Sequence, residues 1–91
     1  MRLDLFLKIS RLIPRRSLAQ EFCDAGRIRV NGSKAKSSKE IKEGDQIQIK
    51  RRDRVTDLVV SSVPATKQVS KASVGDLYQV VGETKLDDDL F

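Results

Sequence analysis

The dipeptide Asn31-Gly32 constrains the fold of this chain more than any other feature of its sequence. Both residue types tolerate the left-handed backbone that a two-residue type I′ hairpin turn requires. Residues 27–30 before the turn alternate basic and apolar side chains, as a half-buried strand does. Residues 33–36 after it are predicted to be a short return strand in which only Ala35 points inward. The sequence therefore predicts an antiparallel hairpin over residues 27–36.

Two short basic helices are predicted before the hairpin, at about residues 2–11 and 14–25. Apolar residues recur in both segments at the spacing of a helix with one buried face. Pro14 breaks the first helix and suits the first position of the second. Ser17 and Gln20 offer an alternative start of the second helix as a capping box.

Glycines and charged turns divide the segments that follow. Gly26 is predicted to end the second helix in the left-handed conformation. A turn at Glu43-Gly44 precedes a strand at 46–50, whose residues alternate between polar and apolar. A further strand is predicted at 55–63.

We predict an α+β fold with two N-terminal helices packed on a small, mostly antiparallel sheet. This domain is assigned to residues 1–63 and a short C-terminal extension to residues 64–91. The extension is predicted to contain a flexible linker at 65–73 and a short docking segment at 74–81. The spacing in that segment fits either a helical turn or a strand, and the acidic tail at 87–91 is expected to be disordered.

Charge is distributed unevenly along the chain, whose formal net charge is +5. Residues 1–55 carry 15 of the 18 lysines and arginines but only 7 of the 13 acidic residues. A basic body with an acidic tail favours a polyanionic partner for the body. A generic solvated surface is the alternative interpretation of charge alone.

The commonest general base and the usual imidazole metal ligand are missing from the chain. The chain has no histidine and a single cysteine, Cys23, which is predicted to be a buried packing residue. One cysteine excludes an internal disulfide and a multi-cysteine zinc site. No apolar run approaches the roughly 20 residues of a membrane span. We therefore expect a cytoplasmic protein that is not an enzyme and that needs no metal, cofactor or membrane.

Arg15 and Arg16 lie at the predicted N-terminal end of the second helix. Cations there oppose the helix macrodipole by about 0.3–1 kcal/mol each, whereas a phosphate bound at the helix N-terminus would join them favourably. Two solvated arginines are the alternative. Asp4 is interpreted as a cap or as an ion-pair partner of Arg2 or Arg16, because a carboxylate repels phosphate. Direct contact of Asp4 with a ligand is the alternative there.

The candidate RNA-contacting residues are basic or polar side chains of the helices and the hairpin. They are Arg2, Asp4, Lys8, Arg11, Arg15, Arg16, Ser17, Gln20, Arg27, Asn31, Lys34 and Lys36. If the helices pack against the hairpin, the arginines at 2, 15 and 16 can converge with the lysines at 34 and 36. Such cations bind phosphate largely without reading sequence. Aromatic residues are scarce, so structured RNA fits better than single strands, although charge alone does not exclude DNA.

The order of several short motifs resembles the S4-type RNA-binding domain. The motifs are Arg2-Leu3-Asp4 with Leu7, Arg16-Ser17 with Ala19, Gly26-Arg27-Ile28, Val30-Asn31-Gly32, and Gly44-Asp45 with Ile47. They cover about residues 1–50, and we expect no enzyme domain to be attached. The chain is most similar to the stand-alone bacterial RqcP family, and Phe22 and Cys23 depart from that family in a way that concerns packing only.

The resemblance implies a non-enzymatic RNA-binding factor of ribosome-associated quality control. Such proteins bind the large ribosomal subunit obstructed by peptidyl-tRNA and contact ribosomal RNA and the tRNA. They support C-terminal tailing of stalled nascent chains by an RqcH-like factor. By position, Arg2, Asp4 and Arg16 would form the functional core. We expect the protein to be a monomer off the ribosome.

Other functions remain open from the sequence. The chain could be a detached RNA-targeting module for a separately encoded enzyme, with residues 74–81 as the protein-docking site. It could be a heat-shock-type factor that recycles large subunits, although the acidic tail differs from the long basic C-terminal helix of that relative. A nonspecific nucleic-acid binder with no ribosomal role is the third alternative.

Overall fold

The computed structural model of the protein describes residues 1–64 and 71–85. The helices are α1 (Leu3–Ile9) and α2 (Arg16–Asp24), and a 3₁₀-helix spans Lys71–Asp76. The strands are β1 (Ile28–Val30), β2 (Ser33–Lys34), β3 (Gln46–Lys50), β4 (Arg54–Val60) and β5 (Tyr78–Lys85). The prediction of an α+β fold with two N-terminal helices and an antiparallel sheet is confirmed.

The five strands form one sheet in the order β2-β1-β3-β4-β5, and every neighbouring pair is antiparallel. The register places Ile47 of β3 opposite Val30 of β1 and Leu58 of β4. Because side chains alternate between the faces of a strand, these three lie on one face, and all are buried. They share a single core with the apolar side of α1, including Leu3 and Phe6, which are fully buried.

The turn at Asn31-Gly32 has the predicted type I′ character, with φ of 52° at Asn31 and 86° at Gly32. The Asn31 side chain also attaches the hairpin to the start of β3. Its Oδ1 accepts a hydrogen bond from the amide of Gln46 (3.0 Å), and its Nδ2 donates to Asp45 Oδ1 (3.2 Å). This side chain therefore fixes the register between the hairpin and β3.

The loop at residues 36–41 closes the N-terminal end of α1. The amide of Leu3 donates to the carbonyl of Lys39 (2.8 Å), and the amide of Asp4 donates to the carbonyl of Ser37 (3.1 Å). The Ile41 side chain is 2% exposed and anchors the loop in the core. Two of the amides that a helix start leaves unpaired thus have protein partners at α1.

Both helices are shorter than predicted. The backbone turns left-handed at Arg11 (φ 62°), and α1 ends before it at Ile9. The second helix begins at Arg16 rather than at Pro14, with Arg15 in an extended conformation at the N-cap. No side chain of the described residues caps this helix, so the predicted capping box of Ser17 and Gln20 does not form.

The segment at residues 74–81 contains the end of the 3₁₀-helix and the start of β5. Leu77 between them is buried, and β5 pairs with β4 around a bulge next to Asp57 and Leu58. Residues on both sides of the boundary predicted after residue 63 therefore contribute to one sheet. The predicted acidic tail and residues 65–70 of the predicted linker lie outside the described residues.

Replacing Gly26 should destabilise the fold through its backbone conformation. Gly26 follows α2 with φ +73°, and a Cβ there would lie 2.9 Å from Lys34 Cε. We expect Gly26→Ala to lower the free energy of unfolding by about 1–2 kcal/mol, the cost of a left-handed residue that carries a Cβ.

The matched control is Gly75→Ala, because Gly75 does not have a positive φ and a Cβ there meets open space. Urea denaturation of both variants measures the difference. Equal stabilities of the two variants would contradict the assigned role of Gly26.

Candidate nucleic-acid interface

The carboxylate of Asp4 is fully buried at the junction of the two helices. It belongs to the first turn of α1, and α2 brings two further residues to it. Gln20 Nε2 donates to Asp4 Oδ2 at 2.9 Å, and Arg16 Nε lies 3.2 Å from the same oxygen. A buried carboxylate is tolerated only when it is paired and hydrogen-bonded, so Asp4 joins α1 to α2.

Arg2 completes the cluster around Asp4 from the other side. Its Nε lies 3.3 Å from Asp4 Oδ1, and its Nη2 donates weakly to Oδ2 at 3.4 Å. The amide of Leu5 donates to Oδ1 at 2.7 Å. Both oxygens of Asp4 are therefore occupied within the protein. The interpretation of Asp4 as an ion-pair partner is confirmed, and it pairs with both Arg2 and Arg16. We call Arg2, Asp4, Arg16 and Gln20 the Asp4 centre.

The surroundings of Asp4 keep it ionised. Burial alone raises the pKa of Asp4, but the hydrogen bonds from Gln20 and Leu5 and the contact with Arg16 lower it by more. The pKa therefore lies below its ordinary value of 3.8. At neutral pH the carboxylate is charged and holds two guanidinium groups in place.

The two arginines are held at the surface by this buried anion. The side chains of Arg2 and Arg16 are 47% and 39% exposed. Both approach Asp4 through Nε, and Arg2 also uses one donor of Nη2. The other N–H groups of the outer guanidinium nitrogens remain available for a further partner. Fixed guanidinium groups lose less entropy on binding phosphate. This arrangement suits the recognition of an RNA backbone.

The start of α2 adjoins the Asp4 centre and carries further predicted residues. Arg15 and Ser17 are both exposed there. The described residues provide no side-chain cap at this end, so the first amides of α2 have no side-chain acceptor among them. The phosphate site at this helix end stays a prediction.

The five cations that were predicted to converge lie on different elements of the fold. The loop of Lys36 lies beside the Asp4 centre, since the amide of Asp4 bonds to the carbonyl of the next residue, Ser37. Lys34 lies instead against Gly26, beyond the other end of α2. The convergence of Lys34 with Arg16 therefore stays a prediction, since Lys34 also lines one depression with Lys36 and Lys39.

The remaining candidates are more dispersed. Lys8 and Arg11 are exposed at and just after the end of α1. Arg27 is stacked over the ring of Phe22, 5.7 Å from its centroid. Both polar atoms of the Asn31 side chain form hydrogen bonds within the protein, so this residue stabilises the hairpin turn.

Sequence reasoning missed Lys39. This exposed lysine belongs to the loop that closes α1, and with Lys34 and Lys36 it lines a depression of about 470 Å³. The polar loop has no periodicity to predict its position. Only the pairing of its carbonyls with α1 places it beside the Asp4 centre.

The described residues supply little for catalysis or metal binding. Among them there is no group of three or more Asp, Glu, Cys or His side chains that could hold a metal ion. Cys23 is buried, as predicted, and burial together with the charges of Asp4 and Asp24 raises its pKa to about 11. It therefore remains a thiol at neutral pH. In residues 1–64 and 71–85, each helix is too short or too polar to cross a membrane.

The family model and the similar proteins identify the same family. Residues 1–47 match the family model for the S4 domain. The chain is 41% identical to the RQC P-site tRNA stabilizing factor of Bacillus subtilis, over 94% of this chain and 98% of that protein. It is 46% identical to the protein of the same name from Halalkalibacterium halodurans, over 91% and 92% of the two chains.

A solved structure shares the fold as well. The trimeric structure of heat shock protein 15 from Vibrio cholerae superposes with a TM-score of 0.79 at 27% identity, covering 89% of this chain and 81% of that one. The likeness therefore extends beyond the residues matched by the family model.

Neutralising Asp4 should weaken the junction of the helices. In Asp4→Asn the ionic contacts with Arg2 and Arg16 are lost. The NH₂ group of the asparagine also replaces an acceptor oxygen and faces the N–H donors around it. We expect unfolding at pH 7 to cost about 1–3 kcal/mol less than in the unchanged protein, a range that allows for the partial exposure of both arginines.

The pH dependence separates this effect from a general loss of packing. Since the pKa of Asp4 is lowered by folding, its contribution is present above pH 3.8 and is lost as the pH falls through the folded value. Urea denaturation at several pH values should show the two proteins converging in acid. The control Asp24→Asn, at an exposed position, should change stability little, and a pH-independent deficit in Asp4→Asn would contradict the assignment.

Proposed function

Because the chain belongs to the S4 domain family and, within it, to the family of RQC P-site tRNA stabilizing factors, we propose that it is an RNA-binding factor of ribosome-associated quality control. It binds ribosomal RNA of the large subunit next to P-site tRNA and holds that tRNA during the C-terminal tailing of stalled chains. The proposal of tRNA as a ligand and of quality control as the process is supported by the names of the relatives. The Asp4 centre supplies the surface.

The observation that carries this proposal is the pair of half-exposed arginines fixed by one buried carboxylate. Asp4 offsets one of the two positive charges, so the cluster retains a net positive charge for phosphate. Its rigid geometry favours a structured RNA, where phosphates have fixed spacing, over a mobile single strand. The neighbouring Arg15, Lys36 and Lys39 extend the positive surface.

The mechanism is positional rather than catalytic. The protein holds RNA by its backbone and is a non-enzymatic factor, a proposal supported by the relatives' name of stabilizing factor. It acts in the cytoplasm as a monomer that joins the large subunit, and an RqcH-like factor performs the tailing. Among the proposed contacts, those of Arg2 and Arg16 dominate, because these side chains are held in place before binding.

A second candidate function is favoured by β5. Val80 and Val81 are 49% and 54% exposed on a strand at the edge of the sheet. Such an edge can accept a protein partner, as expected of a targeting module for a separate enzyme. Sedimentation through a sucrose gradient distinguishes the two functions. A factor of the large subunit is enriched with subunits that carry tRNA, whereas a targeting module stays at the top of the gradient even at low salt.

Removing Arg16 should weaken RNA binding directly. We expect Arg16→Ala to reduce the affinity for large subunits carrying tRNA by about 1–3 kcal/mol and to lower the salt slope by about one unit, because one phosphate contact is lost. Filter binding across a series of salt concentrations measures both quantities.

Two further variants control for this result. Lys85→Ala removes an exposed cation at the far edge of the sheet and should leave the slope nearly unchanged. Arg16→Lys retains the charge but not the planar guanidinium, and we expect an intermediate affinity. Unchanged affinity and slope in a folded Arg16→Ala protein would refute the proposed surface.

A further inference from the structure

A second group of cations lines a groove at the C-terminal end of α2. The groove has a volume of about 190 Å³, and it is lined by Gly26, Arg27, Arg29, Gln48, Lys50 and Val55. An adjoining depression of about 280 Å³ shares three of these residues and adds Arg51 and Arg52. We call these two connected depressions the sheet groove.

The sheet register assembles this groove from three separate segments. Arg29 is the central residue of β1 and points away from the core, since Ile28 and Val30 beside it are buried. It lies directly opposite Gln48 of β3. The amide of Lys50 donates to the carbonyl of Arg27, which brings the end of β3 and its following turn to the start of β1.

Three arginines of the sheet groove have no ion-pair partner among the described residues. Among the described residues, no carboxylate lies within ion-pair distance of Arg27, Arg29 or Arg52. Asp57 lies opposite Gln48 on β4, two strands from Arg29 and so roughly 9–10 Å away at the usual strand spacing. Asp24 and Asp53 are exposed nearby and offset part of the charge. A net positive groove remains.

The sheet groove is separate from the Asp4 centre. From Arg16 at the start of α2 to Gly26 beyond its end, the rise of about 1.5 Å per residue gives roughly 15 Å. One phosphate cannot contact cations at both positions. The stacking of Arg27 over Phe22 also covers an aromatic surface that could otherwise bind a base, so the groove presents charge rather than a stacking platform.

We propose that the sheet groove binds the phosphate backbone of a second RNA segment, so that the protein bridges two RNA segments at opposite ends of α2. Arg29 and Arg52, both exposed, contact the phosphates. Val55 adds an uncharged part of the lining, and the Lys34 side chain beside Gly26 adds a further positive charge. The amides of Gly26 and Arg27 are used within the fold, so binding depends on the side chains. This inference rests on the proposed function and adds a second contact surface to it.

The test neutralises the groove without changing the Asp4 centre. The variant combines Arg29→Gln with Arg52→Gln, and the matched control combines Lys42→Gln with Lys85→Gln, which removes the same charge from other exposed positions. Binding to purified large ribosomal subunits carrying tRNA is measured across a salt series. We expect the groove variant to bind about 5–30-fold more weakly than the control. Its salt slope should be lower by about one to two units, since each phosphate contact contributes about 0.9.

Charge retention and folding are checked in parallel. Arg29→Lys with Arg52→Lys should restore most of the salt slope, and thermal unfolding should be similar in all the variants because the replaced side chains are exposed. A groove variant that matches the control, while Arg16→Ala is weakened, would overturn the second surface and leave the proposed function intact. If Arg16→Ala also binds normally, both the proposed function and this inference fail.

Discussion

The rest of the structure depends on the buried carboxylate of Asp4. Removing a carboxylate from water costs several kcal/mol, and this cost is offset only where donors from both helices meet. Gln20 and Arg16 can reach Asp4 only when α2 packs against α1 in one orientation. The same contacts set the positions of the guanidinium groups. The contacts of Asp4 therefore both fix the packing of the two helices and position the arginines of the proposed binding surface.

The sheet places the loop that completes this surface. The Asn31 side chain fixes the hairpin to the start of β3, and the connection between β2 and β3 must then pass beside α1. There its carbonyls accept the first amides of α1. Asn31 thus affects the surface without facing it, through the path of the loop that carries Lys36 and Lys39.

Local patterns in the sequence predicted the elements better than their contacts. The hairpin turn, the Gly26 helix end and β3 follow from residue types within a few positions, and all three are present. The pairing of Asp4 with an arginine was also accessible, because opposite charges in adjacent predicted helices are expected to meet. The hydrogen bond from Gln20 to Asp4 could not be predicted, because it depends on the rotation of α2 about its own axis.

Long-range contacts account for the features that the sequence did not predict. The sequence did not identify β5 as a strand, because its valines are exposed and a bulge interrupts the alternation of inward and outward side chains. The strand is anchored next to Leu77, which is buried. The placement of Lys34 near Gly26 required the register between β1 and β2. The sequence shows that Arg29 is basic, but only the pairing of β1 with β3 places it in a groove.

The Asp4 centre also explains why arginines are tolerated at the start of α2. Two cations at a helix N-terminus oppose the macrodipole, and a bound phosphate was one way to relieve that conflict. The protein already supplies one anion, because the Asp4 carboxylate contacts Arg16 in the first turn of α2. One carboxylate cannot neutralise Arg2, Arg15 and Arg16 together, so a positive charge remains at this end. A second buried acid would have removed the attraction for phosphate, whereas no acid would have left the guanidinium groups mobile. A single carboxylate fixes the arginines and leaves the positive charge that the proposed RNA contacts require.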